Sequence, residues 1–358
     1  MKAAVLYKRR EPMVVEPDIR LLDPGPGEVE VKLVASGVCH SDYSHWSRDT
    51  WSQMPLVLGH EGAGVVTRVG PNVARVAPGD HVILAFGVRC GECWFCVHGE
   101  PWLCTPEKQP PPHMFKGDMP LNAFSHVGTF AERTVVPERN CVKIRPDAPL
   151  DAASLVACGV ATGIGAVINT AKVEPGANVA VIGTGGVGLN VVQGARLAGA
   201  ARVIAIDLLD NKLELARAFG ATHLVNSSKE DPVAAVQRLT GGLGVDYAFE
   251  VIGIGTTIRQ AYDMARKGGA AVVVGVARED DEVTFPAPLL MRSGKRVLGC
   301  NYGSTTPWVD FPKIIDLYME GRIKLDELIS RRFELDGINE AFRALHAGEV
   351  ARGIVEYK

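Results

Sequence analysis

The sequence predicts an α/β protein with two domains, one rich in β-strands and one built on a doubly wound parallel sheet. Residues 1–160 contain short alternating segments, such as 28–33, that are broken by Gly and Pro. From residue 161 to 300, apolar runs of strand length alternate with stretches of helical periodicity. This alternation is typical of a parallel sheet that helices cover on both faces. We expect residues 301–358 to return to the first domain.

Individual elements of the parallel sheet can be predicted in the same way. The apolar runs that we predict as strands are residues 179–182, 203–206, 247–251, 271–275 and 297–298. Between them, residues 212–219 have helical periodicity and stop at Gly220. Asp231 followed by Pro232 is typical of an N-cap with proline at the first helical position.

Composition restricts the possible functions. The chain has 358 residues, is 47% hydrophobic and carries a net charge of -3, so nucleic acid and anionic lipid have no electrostatic reason to bind. No apolar run has the length of a membrane helix, and the first residues form too short an apolar run for a signal peptide. We therefore expect a cytoplasmic protein. In that compartment, eight cysteines favour metal binding over disulfides.

A glycine motif follows the first predicted strand of the parallel sheet. Gly183, Gly185 and Gly188 form G-x-G-x-x-G, with Gly186 and Val187 between them, and a helical stretch begins near Val187. In that context the glycines allow a tight turn, a close approach of the backbone to a pyrophosphate, and close packing of helix on strand. The motif therefore predicts a dinucleotide site.

Asp207 ends the next predicted strand, nineteen residues beyond Gly188. A carboxylate at this position accepts hydrogen bonds from a ribose hydroxyl and repels a 2′-phosphate. Leu208 and Leu209 follow it where an arginine would favour NADP. The pattern favours NAD. The alternative interpretation is an aspartate that only caps the next helix.

Four cysteines have the spacing of a closed metal site. Cys90, Cys93, Cys96 and Cys104 follow C-x2-C-x2-C-x7-C, which suits tetrahedral zinc and leaves no position open for chemistry. Such a site would stabilise a loop without taking part in a reaction. An iron-sulfur cluster is the alternative for four thiolates.

Cys39, His60 and Cys158 are weaker candidates, because spacing alone does not join them. A buried free cysteine is commonly inert packing. The surrounding motifs are more specific: GVCHSD at 37–42, GHEGAG at 59–64, CGVATG at 158–163 and GEVAR at 348–352. Together with the four-cysteine loop and the glycine motif, these segments resemble the zinc-containing medium-chain alcohol dehydrogenases. The likeness runs essentially from end to end.

The resemblance implies a fold and a set of zinc ligands. It implies a GroES-like catalytic domain at 1–160 with both zinc sites, a Rossmann domain at 161–300, and a C-terminal segment at 301–358. It also implies that Cys39, His60 and Cys158 bind a catalytic zinc, with water or substrate oxygen in the fourth place. Glu61 matches an acidic position beside the metal, where it tunes the zinc or ligates it transiently.

The resemblance also assigns contacts to cofactor and substrate. Thr162 matches a position at the nicotinamide end, Arg352 one at the pyrophosphate and Lys212 one near the adenosine ribose. The full set of further cofactor contacts that it implies is His40, Thr162, Lys212, Val251, Val274 and Arg352. Phe86 matches a wall of the substrate pocket. Trp46 and Trp51, in the variable loop after Cys39, could line the substrate entrance or serve ordinary packing.

We therefore expect a dehydrogenase that reversibly oxidises an alcohol to an aldehyde or ketone, with NAD and two zinc ions per chain. Two thiolates and one neutral imidazole cancel the charge of zinc, so the open site stays electrophilic and stabilises an alkoxide. Hydride then passes to the nicotinamide, which supplies the redox chemistry. Family likeness suggests a homodimer or homotetramer joined through the cofactor domains.

Proton release is the part of the pattern in which this sequence departs from the family. The resemblance implies that the Ser41 hydroxyl takes the substrate proton and that a histidine five residues after Cys39 receives it. That position is Ser44 here, and His45 follows it. His45, His40 or solvent could accept the proton.

Two alternative functions remain open from the sequence. The first is a thiol-dependent formaldehyde dehydrogenase that uses glutathione or mycothiol, since His40 is typical of that branch of the family. Asp49 and Lys108 could then contact the thiol. The second is a non-catalytic zinc protein, although the coexistence of Ser41, the zinc ligands and the glycine motif argues against it.

Overall fold

The computed structural model describes residues 1–48, 50, 52–86, 89–104 and 110–358. Its strands are β1 (Ala3–Leu6), β2 (Val14–Glu16), β3 (Arg20–Leu21), β4 (Glu28–Val38), β5 (Leu56–Val57), β6 (Glu61–Val69), β7 (His81–Leu84), β8 (Met114–Lys116), β9 (Met119–Ala123), β10 (Arg133–Pro137), β11 (Cys141–Lys143), β12 (Asn178–Ile182), β13 (Arg202–Asp207), β14 (His223–Asn226), β15 (Val245–Glu250), β16 (Ala265–Val273), β17 (Arg296–Gly299), β18 (Ile329–Glu334) and β19 (Arg352–Glu356). Its α-helices are α1 (His40–Ser47), α2 (Trp94–Val97), α3 (Leu150–Ser154), α4 (Gly159–Gly165), α5 (Gly186–Leu197), α6 (Asp210–Ala218), α7 (Pro232–Leu239), α8 (Gly255–Met264), α9 (Ala287–Ser293), α10 (Pro307–Met319) and α11 (Ile338–His346).

The chain divides into two compact units. Unit 1 comprises Met1–Cys158 and Thr306–Lys358, and unit 2 comprises Gly159–Thr305. The C-terminal segment contributes β19 to unit 1, where it pairs with β4 in an antiparallel register that places Gly353 opposite Val38.

Unit 2 contains a six-stranded parallel sheet in the order β14-β13-β12-β15-β16-β17. This is the strand order of a dinucleotide-binding doubly wound fold, in which the order reverses beside the first strand. The predicted α/β class and its parallel strands are confirmed, although β15 ends at Glu250 and β16 at Val273, one and two residues before the predicted ends. Residues 179–182 of β12 and 203–206 of β13 are almost completely buried, as continuous apolar runs predict.

Local signals in unit 2 form the structures that the sequence predicts. The Asp231 carboxylate accepts a hydrogen bond from the Ala234 amide at 2.7 Å, and Pro232 opens α7. The helix predicted over residues 212–219 is α6. A Cβ atom at Gly188 would lie 1.9 Å from the Gly183 carbonyl oxygen, so only glycine permits this packing of α5 on β12.

Unit 1 is built on two mostly antiparallel sheets, each with one parallel pair, β18 with β19 and β5 with β9. One has the order β11-β7-β6-β4-β19-β18, with β10 also paired to β4, and the other has the order β2-β1-β5-β9-β8-β3. Buried Val29, Val31 and Leu33 alternate along β4 in one hydrophobic cluster. The predicted β-rich character of this region is confirmed.

One local prediction is wrong. The segment after Cys39, which we expected to be a variable loop, forms α1 as far as Ser47. Trp46 lies in this helix, where its indole N–H donates to the Glu11 carbonyl at 2.7 Å and its ring packs on Phe342. Packing within unit 1 therefore accounts for Trp46.

Among the described residues no single helix is long and apolar enough to cross a membrane. The bent pair Leu150–Ala157 and Gly159–Ala171 meets the length and composition test together. Its residues are mostly buried in the structure.

Candidate active site and metal centres

The four-cysteine loop brings its thiols to metal-binding distance. All four sulfur atoms lie within 4.8 Å of one another. The Sγ atom of Cys90 is 4.0 Å from that of Cys96 and 3.6 Å from that of Cys104. Tetrahedral zinc with Zn–S bonds of about 2.3 Å separates sulfurs by about 3.8 Å, so these distances fit the ion.

Backbone amides of this loop donate hydrogen bonds to its sulfur atoms, which favours the thiolate form. The Cys93 amide donates to the Cys90 sulfur at 3.1 Å, and the Cys90 amide donates to the Cys104 sulfur at 3.3 Å. The Glu92 and Cys93 amides lower the pKa of Cys90 to about 6. Burial raises the pKa of Cys104. Cys104 is therefore harder to deprotonate than Cys90. A bound cation would offset the free-energy cost of ionising it.

A second cluster forms from residues that are distant in sequence. Cys39 precedes α1, His60 directly precedes β6, which begins with Glu61, and Cys158 follows a buried helical turn. One candidate ligand atom from each lies within 4.8 Å of the others, and all four residues are buried. The tertiary fold of unit 1 thus brings together the dispersed candidates.

Asp42 organises this cluster, and it was missed in the sequence. Its carboxylate accepts hydrogen bonds from the Cys39 amide at 3.1 Å and the Gly59 amide at 2.9 Å. It also lies 3.0 Å from Nδ1 of His60, and because a carboxylate only accepts, Nδ1–H donates. The signal in the sequence is an acid three residues after the helix N-cap.

This contact fixes the orientation of the imidazole. With Nδ1 protonated toward Asp42, a neutral His60 presents the lone pair of Nε2. The Nε2 atom is buried and makes no hydrogen bond to any described residue. Such an orphaned buried nitrogen beside two thiols is the donor arrangement that a zinc ion satisfies.

Glu61, a member of this cluster, forms a buried ion pair with Arg352. Arg352 Nη2 lies 3.1 Å from Glu61 Oε1, and both side chains are almost fully buried. A Cβ atom at Gly37 would lie 2.0 Å from the Glu61 carboxylate, which explains the glycine two residues before Cys39. Burial raises the pKa of Glu61 to about 7, although Arg352 opposes this shift.

The thiols and imidazole of this cluster also influence one another. The hydrogen bond from Cys158 lowers the pKa of Cys39, and the same contact raises the pKa of Cys158. Burial lowers the pKa of His60, but the charge and hydrogen bond of Asp42 outweigh it and raise the pKa overall. The cluster thus has one thiol that ionises easily and one that requires a further positive charge.

The residue types and geometry fit zinc at both clusters. Two thiolates and one neutral imidazole make three strong ligands with an open position, as in catalytic sites. Four thiolates make a closed site, as in structural ones.

Aromatic rings surround His60. The ring of Phe86 meets it edge-on with centroids 5.3 Å apart, and Phe124 does the same from a second direction at 5.3 Å. Phe86, which the resemblance assigns to a pocket wall, thus contacts His60, while Phe124 was not identified from the sequence. The Ser41 hydroxyl lies 3.8 Å from the Cys39 sulfur, so the predicted proton acceptor adjoins the cluster.

His45 has hydroxyl partners in the segment that follows α1. Its Nδ1 is 2.9 Å from the Ser52 hydroxyl and 3.0 Å from the Thr50 hydroxyl, and its ring packs on Phe124. Burial lowers its pKa to about 4. A neutral imidazole whose Nδ1 accepts from these hydroxyls carries its proton on Nε2.

Several other predicted residues are placed less specifically. His40 is the first residue of α1 and is exposed. Trp51, Asp49 and Lys108 lie outside the described residues.

The glycine motif forms the turn between β12 and α5 in unit 2. Gly183 has a φ of +92°, which favours glycine. A Cβ atom at Gly185 would meet no atom within 4 Å, so the backbone is open to a ligand there. Because α5 begins at Gly186, free amides at its N-terminus face a bound pyrophosphate favourably.

Asp207 holds this turn through both carboxylate oxygens. Oδ2 accepts from the Thr184 amide at 2.9 Å and hydroxyl at 3.0 Å, and Oδ1 accepts from the Leu208 amide at 2.8 Å. Oδ1 also accepts from the Leu209 amide at 3.2 Å, so the loop uses all four acceptor positions of this carboxylate. A ribose hydroxyl would bind here in exchange for one of these contacts.

Glu250, at the end of β15, holds the next loop as Asp207 holds the glycine turn, by accepting hydrogen bonds from its backbone amides. It was not among the residues predicted from the sequence. Its fully buried Oε1 accepts from the Ile252 amide at 2.9 Å, the Gly253 amide at 2.8 Å and the Thr257 hydroxyl at 2.7 Å. It therefore fixes the loop that begins with Val251, a predicted cofactor contact. An acid that ends an apolar strand was the available signal.

The remaining cofactor candidates of unit 2 lie at the carboxyl ends of strands or on helices. Val251 donates its amide to Ile182 at 3.0 Å, and Val274 donates to Glu250 at 2.8 Å. Thr162 lies in α4, and Lys212 lies in α6, which follows β13.

Family comparisons agree with this geometry. Residues 25–146 match the alcohol dehydrogenase GroES-like domain, and residues 186–320 match the zinc-binding dehydrogenase domain. The chain is 41% identical over 368 residues to an alcohol dehydrogenase class-3 from Zea mays, with 99% of this chain and 96% of the maize protein covered. It is 39% identical over 375 residues to an S-(hydroxymethyl)glutathione dehydrogenase from Paracoccus denitrificans, with 99% of each covered.

Solved structures give the same result. A zinc-binding domain alcohol dehydrogenase from Burkholderia ambifaria is 35% identical with a TM-score of 0.96, covering 100% of this chain and 98% of that one. Benzyl alcohol dehydrogenase from Acinetobacter calcoaceticus is 33% identical with a TM-score of 0.93, covering 100% and 99%. The chain therefore belongs to the zinc-containing alcohol dehydrogenases of the medium-chain dehydrogenase/reductase family.

Proposed function

We propose that this protein reversibly oxidises a small alcohol to an aldehyde or ketone and passes the hydride to NAD. The observation that carries the proposal is the buried cluster of Cys39, His60 and Cys158, in which Nε2 of His60 is left without a hydrogen bond to any described residue. When bound there, zinc supplies a Lewis acid that eases deprotonation of an alcohol. NAD supplies the hydride acceptor.

The chain's own residues orient the reaction. Asp42 holds the His60 ring in one tautomer, and the rings of Phe86 and Phe124 exclude water from two sides of it. Ser41 accepts the substrate proton through its hydroxyl, whose position beside Cys39 supports this role. These functional assignments are our proposal.

The end of the proton path is assigned to His45. Its contacts with Ser52 and Thr50 support a role in which it passes a proton onward. Because its pKa is about 4, it does not retain that proton at neutral pH. Ser44 lies where the family has a histidine. We therefore propose that the neighbouring His45 takes the role of that histidine.

Cofactor binding is assigned to unit 2. We propose that the Gly183–Gly188 turn binds the pyrophosphate and that Asp207 favours NAD over NADP, for which its carboxylate chemistry is the support. Thr162, Lys212, Val251 and Val274 are proposed contacts with the rest of NAD. His40 and Arg352 are proposed as phosphate-side contacts from unit 1. We retain the predicted limits of the functional domains, with the catalytic domain at 1–160, the cofactor domain at 161–300 and the C-terminal segment at 301–358.

The quaternary proposal is a homodimer or homotetramer joined through the cofactor units. Strand β17 is an edge of the parallel sheet, and its Val297 is exposed. Exposed Leu289, Leu290 and Met291 lie on α9, which precedes that strand. An open edge beside apolar side chains favours continuation of the sheet into a second copy. Native mass spectrometry tests this, with Val297→Lys expected to favour monomers.

The proposed location is the cytoplasm. All eight cysteines are free, and the structure places four of them in one metal-ligand cluster and two in the other. Zinc thiolate sites of this kind suit a reducing compartment. Fractionation of cells that express the tagged chain tests the location.

A thiol-dependent formaldehyde dehydrogenase is the second candidate. The relative from Paracoccus denitrificans and others of similar identity carry the name S-(hydroxymethyl)glutathione dehydrogenase. The decisive experiment measures NADH formation by the protein loaded with two zinc ions, using primary alcohols and formaldehyde with or without glutathione or mycothiol. Alcohol turnover without thiol supports the main proposal, and turnover that requires thiol supports the second. Complete inactivity with both zinc ions bound refutes both and favours a non-catalytic zinc protein.

A further inference from the structure

Unit 1 contains a cavity of about 220 Å³, and Gln53 and Pro111 in its lining are exposed to solvent. Much of the rest of the lining is polar and includes the side chains of Ser52, Asn122 and Ser125. A water molecule needs about 10–15 Å³ and two to four polar partners. The cavity is therefore large and polar enough to hold several water molecules, and its exposed residues give them a path to bulk solvent.

Ser52 connects this cavity with His45. It lines the cavity, and its hydroxyl oxygen lies 2.9 Å from Nδ1 of His45. A hydroxyl has one proton to donate and two lone pairs, so Ser52 can exchange a proton with the imidazole on one side and with water on the other. Ser41, whose hydroxyl lies 3.8 Å from the Cys39 sulfur, precedes His45 by four residues on α1 and so shares its helix face. These three polar residues form a series from the metal-binding cluster to the cavity.

Phe124 closes the direct route between the cluster of Cys39, His60 and Cys158 and the cavity. Its ring lies edge-on to His60 with centroids 5.3 Å apart, packs on His45 at 4.3 Å, and also lines the cavity. A phenyl ring has no group that donates or accepts a proton, and it keeps the water of the cavity away from this side of His60. A proton that leaves the cluster toward the cavity therefore needs the imidazole and the hydroxyl beside this ring.

Thr50 provides the other hydroxyl on the same nitrogen, at 3.0 Å from Nδ1 of His45. The Thr50 hydroxyl oxygen also accepts from the Arg9 guanidinium at 3.1 Å, whereas the contact of Arg9 with Ser52, at 2.6 Å, is to the backbone carbonyl. A cation bonded to the Thr50 hydroxyl opposes the arrival of a proton there. Thr50 is also not among the described residues that line the cavity. Of the two hydroxyls, Ser52 is therefore the better outlet for a proton.

The imidazoles along this route do not retain a proton at neutral pH. Burial is the largest cause that lowers the pKa of His45 to about 4, and the charge of Arg9 acts in the same direction, against that of Asp42. His126 lines the cavity, and burial and the charge of Arg139 lower its pKa as well. A proton that reaches the cavity therefore passes on to solvent.

We propose that Ser52 relays the substrate proton from His45 to water in this cavity, which makes the cavity the proton exit of the site. The inference rests on the proposed alcohol dehydrogenase function and deepens it. In alcohol oxidation, Nε2 of His45 takes the hydroxyl proton of Ser41 as Ser41 takes that of the alcohol. Nδ1 of the same ring gives its proton to the Ser52 oxygen, and the former hydroxyl proton of Ser52 passes to water. Each group gains one proton and loses one, and aldehyde reduction runs the same steps in reverse.

Ser52→Ala and Thr50→Val are a matched pair, since each removes one hydroxyl from Nδ1 of His45 with little change of shape. With the NAD- and zinc-loaded protein and ethanol, we expect Ser52→Ala to lower kcat about tenfold and to raise its solvent deuterium isotope effect, because proton transfer becomes the slow step. Ser52→Thr keeps a hydroxyl and should restore most of kcat. Thr50→Val should lower kcat less than about threefold. A loss in Thr50→Val as large as in Ser52→Ala overturns the inference, and so does a Ser52→Ala variant with unchanged kcat and isotope effect.

Proton exchange at the His45 ring gives a second readout that needs no turnover. In zinc-loaded protein with isotope-labelled histidine, NMR measures how fast the imidazole N–H of His45 exchanges with water, and His45→Gln identifies its signal. Slower exchange in Ser52→Ala than in Thr50→Val and the unmodified protein supports the inference even if no alcohol is oxidised, in which case the proposed function alone fails. Equal exchange in Ser52→Ala and the unmodified protein overturns the inference even when ethanol is oxidised.

Discussion

Replacing Asp42 with asparagine tests the central feature of the candidate active site. The Asp42 carboxylate is fully buried and accepts hydrogen bonds from the Cys39 amide, the Gly59 amide and Nδ1–H of His60. Asparagine has nearly the same shape but only one acceptor oxygen. Its amide group must therefore face one of these donors, and the histidine loses its charged partner.

The expected magnitude follows from these contacts. A hydrogen bond to a charged group contributes about 1.5–3 kcal/mol, and losing the carboxylate behind a metal-ligating histidine typically costs 10–100-fold in metal affinity. We therefore expect Asp42→Asn to weaken zinc binding at the His60 cluster by 10–100-fold, which corresponds to about 1.4–2.8 kcal/mol. The four-cysteine site does not share this residue and should keep its affinity.

Chelator competition measures this effect. Zinc release is followed against increasing chelator concentration, and the four-cysteine site serves as an internal reference. Asp23→Asn is the matched control, because the Asp23 side chain is 81% exposed. Circular dichroism establishes that each variant is folded. If Asp42→Asn and the unmodified protein release both zinc ions at the same chelator concentrations, the proposed role of Asp42 is refuted.

Four further predictions test other parts of the protein. Ser41→Ala should lower kcat at least about tenfold with NAD affinity nearly unchanged; equal turnover contradicts the proton role. Asp207→Asn should reduce the NAD-to-NADP ratio of kcat/KM at least about tenfold, because a repelling carboxylate is lost while the shape of the side chain is kept; an unchanged ratio contradicts this. Cys93→Ser should release the structural zinc and lower the melting temperature, with zinc analysis as the measurement. Burial lowers the pKa of folded His45 from 6.5 to about 4, so its neutral form stabilises the protein above pH 6.5 and this contribution is lost as pH falls to 4. His45→Gln should therefore lose less stability over that range in urea unfolding, and an identical loss contradicts the prediction.

Local sequence signals predict much of the fold because they act over a few residues. The glycine turn after β12 and the Asp231 N-cap need only neighbouring backbone groups, and both form. The four cysteines lie within one short loop, so their spacing in the sequence largely determines the distances between their sulfur atoms. In contrast, Cys39 and Cys158 meet only after the sheets of unit 1 are complete. Their spacing alone did not predict that these two cysteines share a metal site, and that prediction came from the family resemblance.

Two carboxylates were missed for a shared physical reason. In sequence, Asp42 is indistinguishable from an ordinary helix-capping residue, and Glu250 from an ordinary polar end to a strand. Their importance depends on which backbone amides point at them, and single-sequence patterns do not contain that information. The same applies to Phe124, whose contacts with His60 and His45 come from a turn with left-handed residues.

Asp42, Asp207 and Glu250 share one mode of action. Each accepts at least two backbone amides at the end of a secondary-structure element, and each adjoins a proposed ligand-binding group. Backbone amides cannot change rotamer, so a carboxylate that they hold has a nearly fixed position. This explains how residues at element ends orient chemistry without contacting a substrate. It also means that removing any of these side chains disturbs fold and site together, so isosteric amides, and not alanine, separate the two effects.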